Sequence, residues 1–113
     1  SDINVADYDT VIFVGGSGAN EYWDNPTAHK IANDANNAKK IVGAICIAPV
    51  TLAKAGLLKN KKATTYSSTT NDIKSSGAKY TGAEVERDGN IITASGPAAA
   101  QKFGEAIVKA LGQ

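Results

Sequence analysis

The 113-residue sequence is poor in the residue types that build disulfide frameworks and metal sites. It contains one cysteine, Cys46, one histidine, His29, and no methionine. A single cysteine excludes an internal disulfide framework and fits a reducing compartment, which we expect to be the cytoplasm. One histidine without a second cysteine leaves no zinc-type cluster, so neither a metal nor another cofactor is predicted.

Charge and hydropathy exclude two further classes of protein. The formal net charge is +1, which gives no reason to expect a nucleic-acid partner. No apolar run approaches membrane-spanning length and no signal peptide opens the chain, so no membrane partner is predicted. The length suits a single domain, residues 1–113, with a core of its own. Because the chain opens on Ser1-Asp2, we expect a processed chain or a fragment.

The most informative stretch is residues 41–53, IVGAICIAPVTLA. A β-branched apolar run ends at Cys46, and an alanine-rich helical segment follows at once, with Pro49 suited to its first turn. The pattern predicts a strand, a sharp turn and a helix. A cysteine at such a turn lies at the carboxyl edge of a sheet, where helix N–H groups favour a thiolate nucleophile. The alternative is a buried cysteine that acts as a small hydrophobe, and this stretch alone leaves both open.

The remaining segments fit an α/β protein. A buried strand, Asp9–Val14, runs into a glycine-rich loop that matches neither common phosphate-binding motif. The next helix carries an apolar stripe from Ala28 to Ala38, and His29 lies off that stripe, which predicts a solvated surface residue rather than a catalytic base. We predict helices at 25–39, 48–55 and 97–111, a short helix near 71–74, strands at 63–66, 81–87 and 90–94, and a hairpin turn at Asp88-Gly89. Gly56 is predicted to cap the carboxyl end of the helix at 48–55. This order predicts a three-layer α/β/α architecture with a mostly parallel sheet.

Four stretches, in this order, resemble one family. The sequence is similar to the ThiJ/PfpI superfamily, which includes PfpI-type intracellular peptidases and the parkinsonism-associated deglycase, from about Asp9 to Leu111. The stretches that carry the resemblance are Gly15-Gly16, residues 44–49 (AICIAP), residues 56–64 (GLLKNKKAT) and residues 88–97 (DGNIITASGP). The resemblance implies a flavodoxin-like sandwich with a nucleophile elbow at Cys46.

The resemblance also implies a set of site residues and an activity. Cys46 would be the nucleophile, and the backbone N–H groups of Gly16 and Ile47 would stabilise an oxyanion. Glu21 falls close to the acidic residue that PfpI-type members carry after their Gly-Gly. The implied function is cysteine-dependent action on small reactive carbonyl compounds, of the glyoxalase or deglycase kind, in stress protection. One alternative is a redox or stress sensor that works through oxidation of Cys46, and another is an intracellular peptidase.

Three departures from the family pattern bear on these alternatives. PfpI-type peptidases have histidine where this chain has Ile47, and deglycase-like members often have histidine at the position of Tyr66. A Cys-His dyad is therefore absent, which argues against peptidase activity. Family members also begin with a strand-helix-strand segment that supplies a central strand and a glutamate. We therefore expect a domain that is incomplete at its amino terminus and that associates with such a segment or forms a homo-oligomer.

Overall fold

A computed structural model of the chain describes residues 10–14, 26–66 and 69–111. Within these ranges strands and helices alternate along the first half, and a hairpin precedes the last helix. The elements are β1 (Thr10–Val14), α1 (Pro26–Asn37), β2 (Ile41–Ile45), α2 (Pro49–Lys54), β3 (Lys62–Ala63), α3 (Thr70–Ser75), β4 (Lys79–Tyr80), β5 (Val85–Asp88), β6 (Ile91–Ala94), a 3-10 turn (Pro97–Ala99) and α4 (Ala100–Leu111).

Within the described part of the chain, the main sheet has four strands in the order β1-β2-β6-β5. β2 pairs in parallel with β1 on one side and with β6 on the other, and β5 and β6 form an antiparallel hairpin. All five residues of β2 are buried. Because β2 has partners on both edges and helices on both faces, all its side chains are buried, which explains the continuous apolar run in the sequence.

The side chains of β2 alternate between two cores. Val42 and Ala44 pack into a cluster with α1 and α2, whereas Ile41 and Ile45 pack into a second cluster with α4. This alternation follows from the two-residue period of a strand, which places successive side chains on opposite faces of the sheet. The predicted three-layer α/β/α architecture, with a mostly parallel sheet and one hairpin, is confirmed.

The ends of α1 and α2 have the same geometry. After α2 the chain reaches Gly56 at φ +84°, and Leu57 N donates to Leu52 O over 3.0 Å. After α1 it reaches Lys39 at φ +60°, and Lys40 N donates to Ala35 O over 2.9 Å. Both are left-handed caps in which the N–H beyond the cap satisfies a carbonyl of the last turn. The predicted cap at Gly56 is confirmed, and α1 ends two residues before the predicted Lys39.

Two predicted strands are shorter than expected. Gly82 lies at φ +73°, which interrupts extended backbone, so the strand predicted at 81–87 begins only at Val85. The strand predicted at 63–66 pairs in parallel with β4 only at Lys62–Ala63. Beyond Ala63, Thr64 N donates to the side-chain oxygen of Thr93 over 2.9 Å in place of a strand carbonyl. The side chain of Thr93 thus accepts a hydrogen bond that the carbonyl of a neighbouring strand would accept in a regular sheet.

Two side-chain positions on and after α1 differ from the sequence-based expectation. Ala38 is exposed beyond the end of the helix, although the apolar stripe was extended to it. His29 is half-buried, so its prediction as a solvated surface residue is wrong in degree. Among the residues that the structure describes, no helix is long and apolar enough to cross a membrane.

Candidate functional site

Cys46 occupies a sharp turn between β2 and α2. β2 ends at Ile45, Cys46 has φ +70°, and α2 begins at Pro49. A left-handed conformation is uncommon for a residue with a Cβ atom and costs of order 1–3 kcal/mol unless the surrounding structure holds it. The predicted strand-elbow-helix arrangement is confirmed, and its strained residue is the cysteine.

Three hydrogen bonds hold the backbone of Cys46. Its N–H donates to Ala94 O at the end of β6, over 3.0 Å. Its carbonyl oxygen accepts from Tyr66 N over 2.8 Å and from the hydroxyl of Thr65 over 3.0 Å. The elbow is therefore tied to β6 and to the segment after β3, which stabilises a conformation that the chain would otherwise avoid.

Cys46 is partly accessible to solvent. The residue is half-buried and is a free cysteine. Within the described part of the chain, its hydrogen bonds are all made by its backbone. Cys46 lies at the carboxyl edge of the sheet, where strand ends and the following turns meet.

Ile47 follows Cys46 and is also half-buried. Among the described residues, no acceptor takes the Ile47 N–H, whereas the Cys46 N–H is already donated to Ala94 O. Of these two donors, only the Ile47 N–H has no acceptor within the described ranges and could there stabilise a developing negative charge. This agrees with the role predicted for Ile47, and that role stays a prediction.

Tyr66 lies next to the elbow. Its N–H donates to Cys46 O, and its side chain is 44% exposed. Gly96, after β6, lies against the ring: a Cβ atom built on Gly96 would be 3.2 Å from Cδ1 of Tyr66. The glycine lets the ring approach the backbone of the segment after β6, so the two segments that hydrogen-bond to the Cys46 backbone also contact each other.

Three buried threonines near the elbow were not predicted from the sequence. Thr65 and Thr69 form a hydroxyl pair behind the Cys46 carbonyl, with oxygens 2.7 Å apart, and Thr93 accepts from Thr64 N. They are 1%, 4% and 1% exposed. In the sequence, these threonines indicate only the end of a strand and the start of a loop. The contacts of their hydroxyls become visible only once β2 and β6 are placed next to each other.

Two predicted site residues, Gly16 and Glu21, lie outside the described residues. Their predicted roles, an oxyanion N–H and an acidic partner, stay predictions. Among the described residues, no three His, Cys, Asp or Glu side chains come together in a group that could hold a metal ion.

Comparisons with known proteins agree with this geometry. The model of the DJ-1/PfpI family matches residues 1–110. An uncharacterised protein of Methanocaldococcus jannaschii is 42% identical over 97% of this chain, and a protein named a deglycase from Pyrococcus horikoshii is 31% identical over 85% of it. The chain spans 55% and 58% of the lengths of these two relatives.

A solved structure shows the same fold. The ThiJ/PfpI domain protein of Brachyspira murdochii superimposes with a TM-score of 0.96 at 30% identity, over 98% of this chain and 64% of that one. The flavodoxin-like fold implied by the sequence motifs is thereby confirmed. With a family model that matches nearly its whole length, the chain belongs to the DJ-1/PfpI family.

Proposed function

We propose that the protein uses Cys46 to act on small reactive carbonyl compounds, in the manner of a glyoxalase or deglycase. The observation that carries the proposal is the strained, half-buried Cys46 beside the N–H of Ile47, which no acceptor among the described residues takes. Backbone outliers of this kind concentrate at active sites, where the surrounding structure maintains them. The deglycase name of the Pyrococcus horikoshii relative supports the same chemistry.

The first chemical step is addition of the thiol to a carbonyl. The sulfur of Cys46 forms a bond to the carbonyl carbon, the C=O π pair moves to oxygen, and the thiol proton ends on that oxygen as a hemithioacetal forms. The Ile47 N–H would stabilise the oxygen while it carries negative charge, together with the N–H predicted at Gly16. The glutamate of the amino-terminal segment that family members carry would move protons, and Glu21 is the carboxylate of this chain that the family pattern places near the site.

The test is turnover of methylglyoxal, with water consumed and a hydroxy acid formed. We expect the wild-type protein to convert methylglyoxal and the Cys46→Ser variant to lose that conversion. Cys46→Ser keeps the size of the side chain and replaces the nucleophile with a weaker one. Equal conversion by both proteins would refute the proposal.

The second candidate function is a redox sensor. It is favoured by the absence, within the described residues, of any side-chain hydrogen bond to the Cys46 thiol from an imidazole or carboxylate. In this reading two equivalents of hydrogen peroxide oxidise the thiol to a sulfinate and are reduced to water. Loss of the free thiol with peroxide, without any methylglyoxal turnover, would favour the sensor.

We propose that β1 is covered by a further segment in the working protein. β1 lies at one edge of the described sheet, and Ile12 on it is 45% exposed. Val11 and Phe13 pack toward α1, so Ile12 lies on the opposite face, where α4 packs on β2, β5 and β6. The two relatives above are nearly twice as long as the matched region, which leaves ample chain for an amino-terminal segment of this kind.

A second copy of this chain is the other occupant that the exposed edge could accept. Its presence is one outcome of the association experiment described in the Discussion. A lone free cysteine suits a reducing compartment, so we place the protein in the cytoplasm as part of the same proposal.

A further inference from the structure

Two buried threonine hydroxyl groups make consecutive hydrogen-bond contacts that end at the carbonyl oxygen of Cys46. Thr65 Oγ1 is 3.0 Å from Cys46 O, and Thr69 Oγ1 is 2.7 Å from Thr65 Oγ1. The two threonines are 1% and 4% exposed. Buried hydroxyls are rarely left without partners, so the direction of each hydrogen bond matters.

The hydrogens of the pair can be counted. Three contacts compete for two hydroxyl hydrogens, because Thr69 Oγ1 also lies 3.0 Å from Tyr66 O. Tyr66 O already accepts the backbone N–H of Thr69 over 2.9 Å. With the Thr65 hydroxyl donating to Cys46 O, the contact between the two hydroxyls is a hydrogen bond only if the Thr69 hydroxyl donates to Thr65 Oγ1, and Tyr66 O then keeps the Thr69 N–H as its donor. Consecutive bonds of this kind polarise and strengthen one another.

This chain of hydrogen bonds ends on the residue whose backbone is strained. Cys46 lies at φ +70°, and its carbonyl accepts only the Thr65 hydroxyl and the Tyr66 N–H among the described residues. Without the hydroxyl, one of the two bonds that fix the carbonyl is lost and the elbow can relax toward an unstrained conformation.

We propose that Thr65, supported by Thr69, is a positioning residue that holds Cys46 in its reactive conformation. The proposal rests on Cys46 being the reactive group of the function proposed above. Thr65 acts through the backbone of Cys46 and need not touch the substrate.

Thr64 provides a matched control. It is adjacent in sequence, 0% exposed, and its hydroxyl donates to a backbone carbonyl, that of Ala83, over 2.6 Å. Thr64→Val and Thr65→Val therefore each remove one buried hydroxyl from a carbonyl while keeping the shape of the side chain. Only Thr65→Val removes it from Cys46.

The experiment measures the rate of alkylation of Cys46 by iodoacetamide at neutral pH in the folded protein. Cys46 is the only cysteine, so the signal has one source. We expect Thr65→Val to slow alkylation by about threefold to tenfold, the range that one buried hydrogen bond carries. Thr65→Ser, which keeps the hydroxyl, should restore the rate, and Thr64→Val should leave it unchanged.

A second variant guards against failure of Thr65→Val to fold. Thr69→Val leaves the Thr65 hydroxyl in place and removes the Thr69 hydroxyl that contacts it. We therefore expect a smaller decrease in the alkylation rate than in Thr65→Val. Thermal unfolding of each variant establishes that the alkylation rates refer to folded protein.

Equal alkylation rates for wild type, Thr65→Val and Thr69→Val would overturn the proposal, as would an equal decrease in Thr64→Val or a failure of Thr65→Ser to restore the rate. Methylglyoxal turnover is measured on the same proteins. Absence of methylglyoxal turnover in the wild type would refute the proposed carbonyl chemistry, and the comparison of alkylation rates would still test the role of Thr65. Equal alkylation rates would refute the positioning role of Thr65 and would leave the proposed carbonyl chemistry unaffected.

Discussion

Gly43 on β2 lies directly beneath the ring of Phe103 on α4. A Cβ atom built on Gly43 would be 3.0 Å from Cζ of Phe103 and 3.4 Å from Cδ1 of Ile107. The absence of a side chain at Gly43 therefore sets how closely α4 approaches the sheet. Gly43 is central in β2, where β1 and β6 pair on either side.

We expect Gly43→Ala to destabilise the protein by about 1–3 kcal/mol, the usual cost of forcing extra volume into a packed core. The control is Gly104→Ala on α4, because a Cβ atom there meets nothing within 4 Å. Gly104→Ala should stabilise by about 0.5–1 kcal/mol through helix propensity. Chemical denaturation measures both, and a neutral Gly43→Ala would show that Phe103 can move away at no cost.

Lys39 and Gly56 form a second matched pair, at the two left-handed helix caps. Lys39 is exposed and Gly56 has nothing near its missing Cβ, so backbone conformation alone decides the effect of substitution. Lys39→Gly should raise the free energy of unfolding by about 0.5–1 kcal/mol, and Gly56→Ala should lower it by about 1 kcal/mol. Effects of the same sign in both variants would contradict the cap geometry.

The strain at Cys46 predicts an order of stability among its own variants. Cys46→Ala keeps a Cβ atom at φ +70°, whereas Cys46→Gly removes the clash that makes this conformation costly. We expect Cys46→Gly to be more stable than Cys46→Ala by up to about 1 kcal/mol, since glycine's larger unfolded-state entropy offsets part of the relief. Thermal unfolding of the two variants gives the comparison, and a more stable Cys46→Ala would mean that the elbow is unstrained.

The residue after the cysteine predicts the result of a protease assay. Ile47 stands where PfpI-type peptidases carry histidine, so the chain has no adjacent base to activate Cys46 for amide cleavage. We expect no cleavage of casein or of fluorogenic peptides above that of Cys46→Ala. Proteolysis that depends on Cys46 would instead require a base from the neighbourhood of Tyr66 or from another chain.

The exposed edge at β1 predicts how residues 1–113 behave when produced alone. Ile12 is 45% exposed on a strand whose outer edge is unpaired within the described sheet. Such edges promote association, so we expect concentration-dependent oligomers or binding of a hydrophobic dye, measured by size-exclusion chromatography with light scattering.

Ile12→Lys should reduce this association. The control is Val108→Lys, which changes an apolar residue that is 70% exposed on α4, away from β1. A discrete dimer that Ile12→Lys dissociates would identify a second copy as the occupant of the edge. A monomer that unfolds cooperatively and binds no dye would show that β1 needs no cover.

The sequence predicted the layers and the elbow because both depend on local signals. The apolar run at residues 41–45, Pro49 and the cap at Gly56 act over one or two turns of chain, and each appears where it was predicted. The position of Cys46 follows from them. Its φ of +70° was not predicted, because the sequence indicated a sharp turn but not the backbone angles that make it.

The missed features depend on contacts between distant segments. Thr65 reads as a strand residue until its hydroxyl is seen on the carbonyl of Cys46, which is 19 positions away. The early end of the strand at Ala63 arises because the side chain of Thr93 takes the N–H of Thr64. At Lys39, the cap was missed because lysine, unlike glycine, carries no sign of a left-handed conformation.

β2 receives its two partners at very different times during synthesis. β1 precedes it by about thirty residues, but β6, which pairs along Val42 to Ile45, is completed only at Ala94. Until the ribosome has released that residue, one edge of β2, whose five residues are all buried in the folded protein, has no native partner. Closing so long a loop is slow relative to local helix formation. The parallel β2–β6 pairing therefore makes the nascent chain most prone to aggregation over the interval in which residues 46–94 are being made.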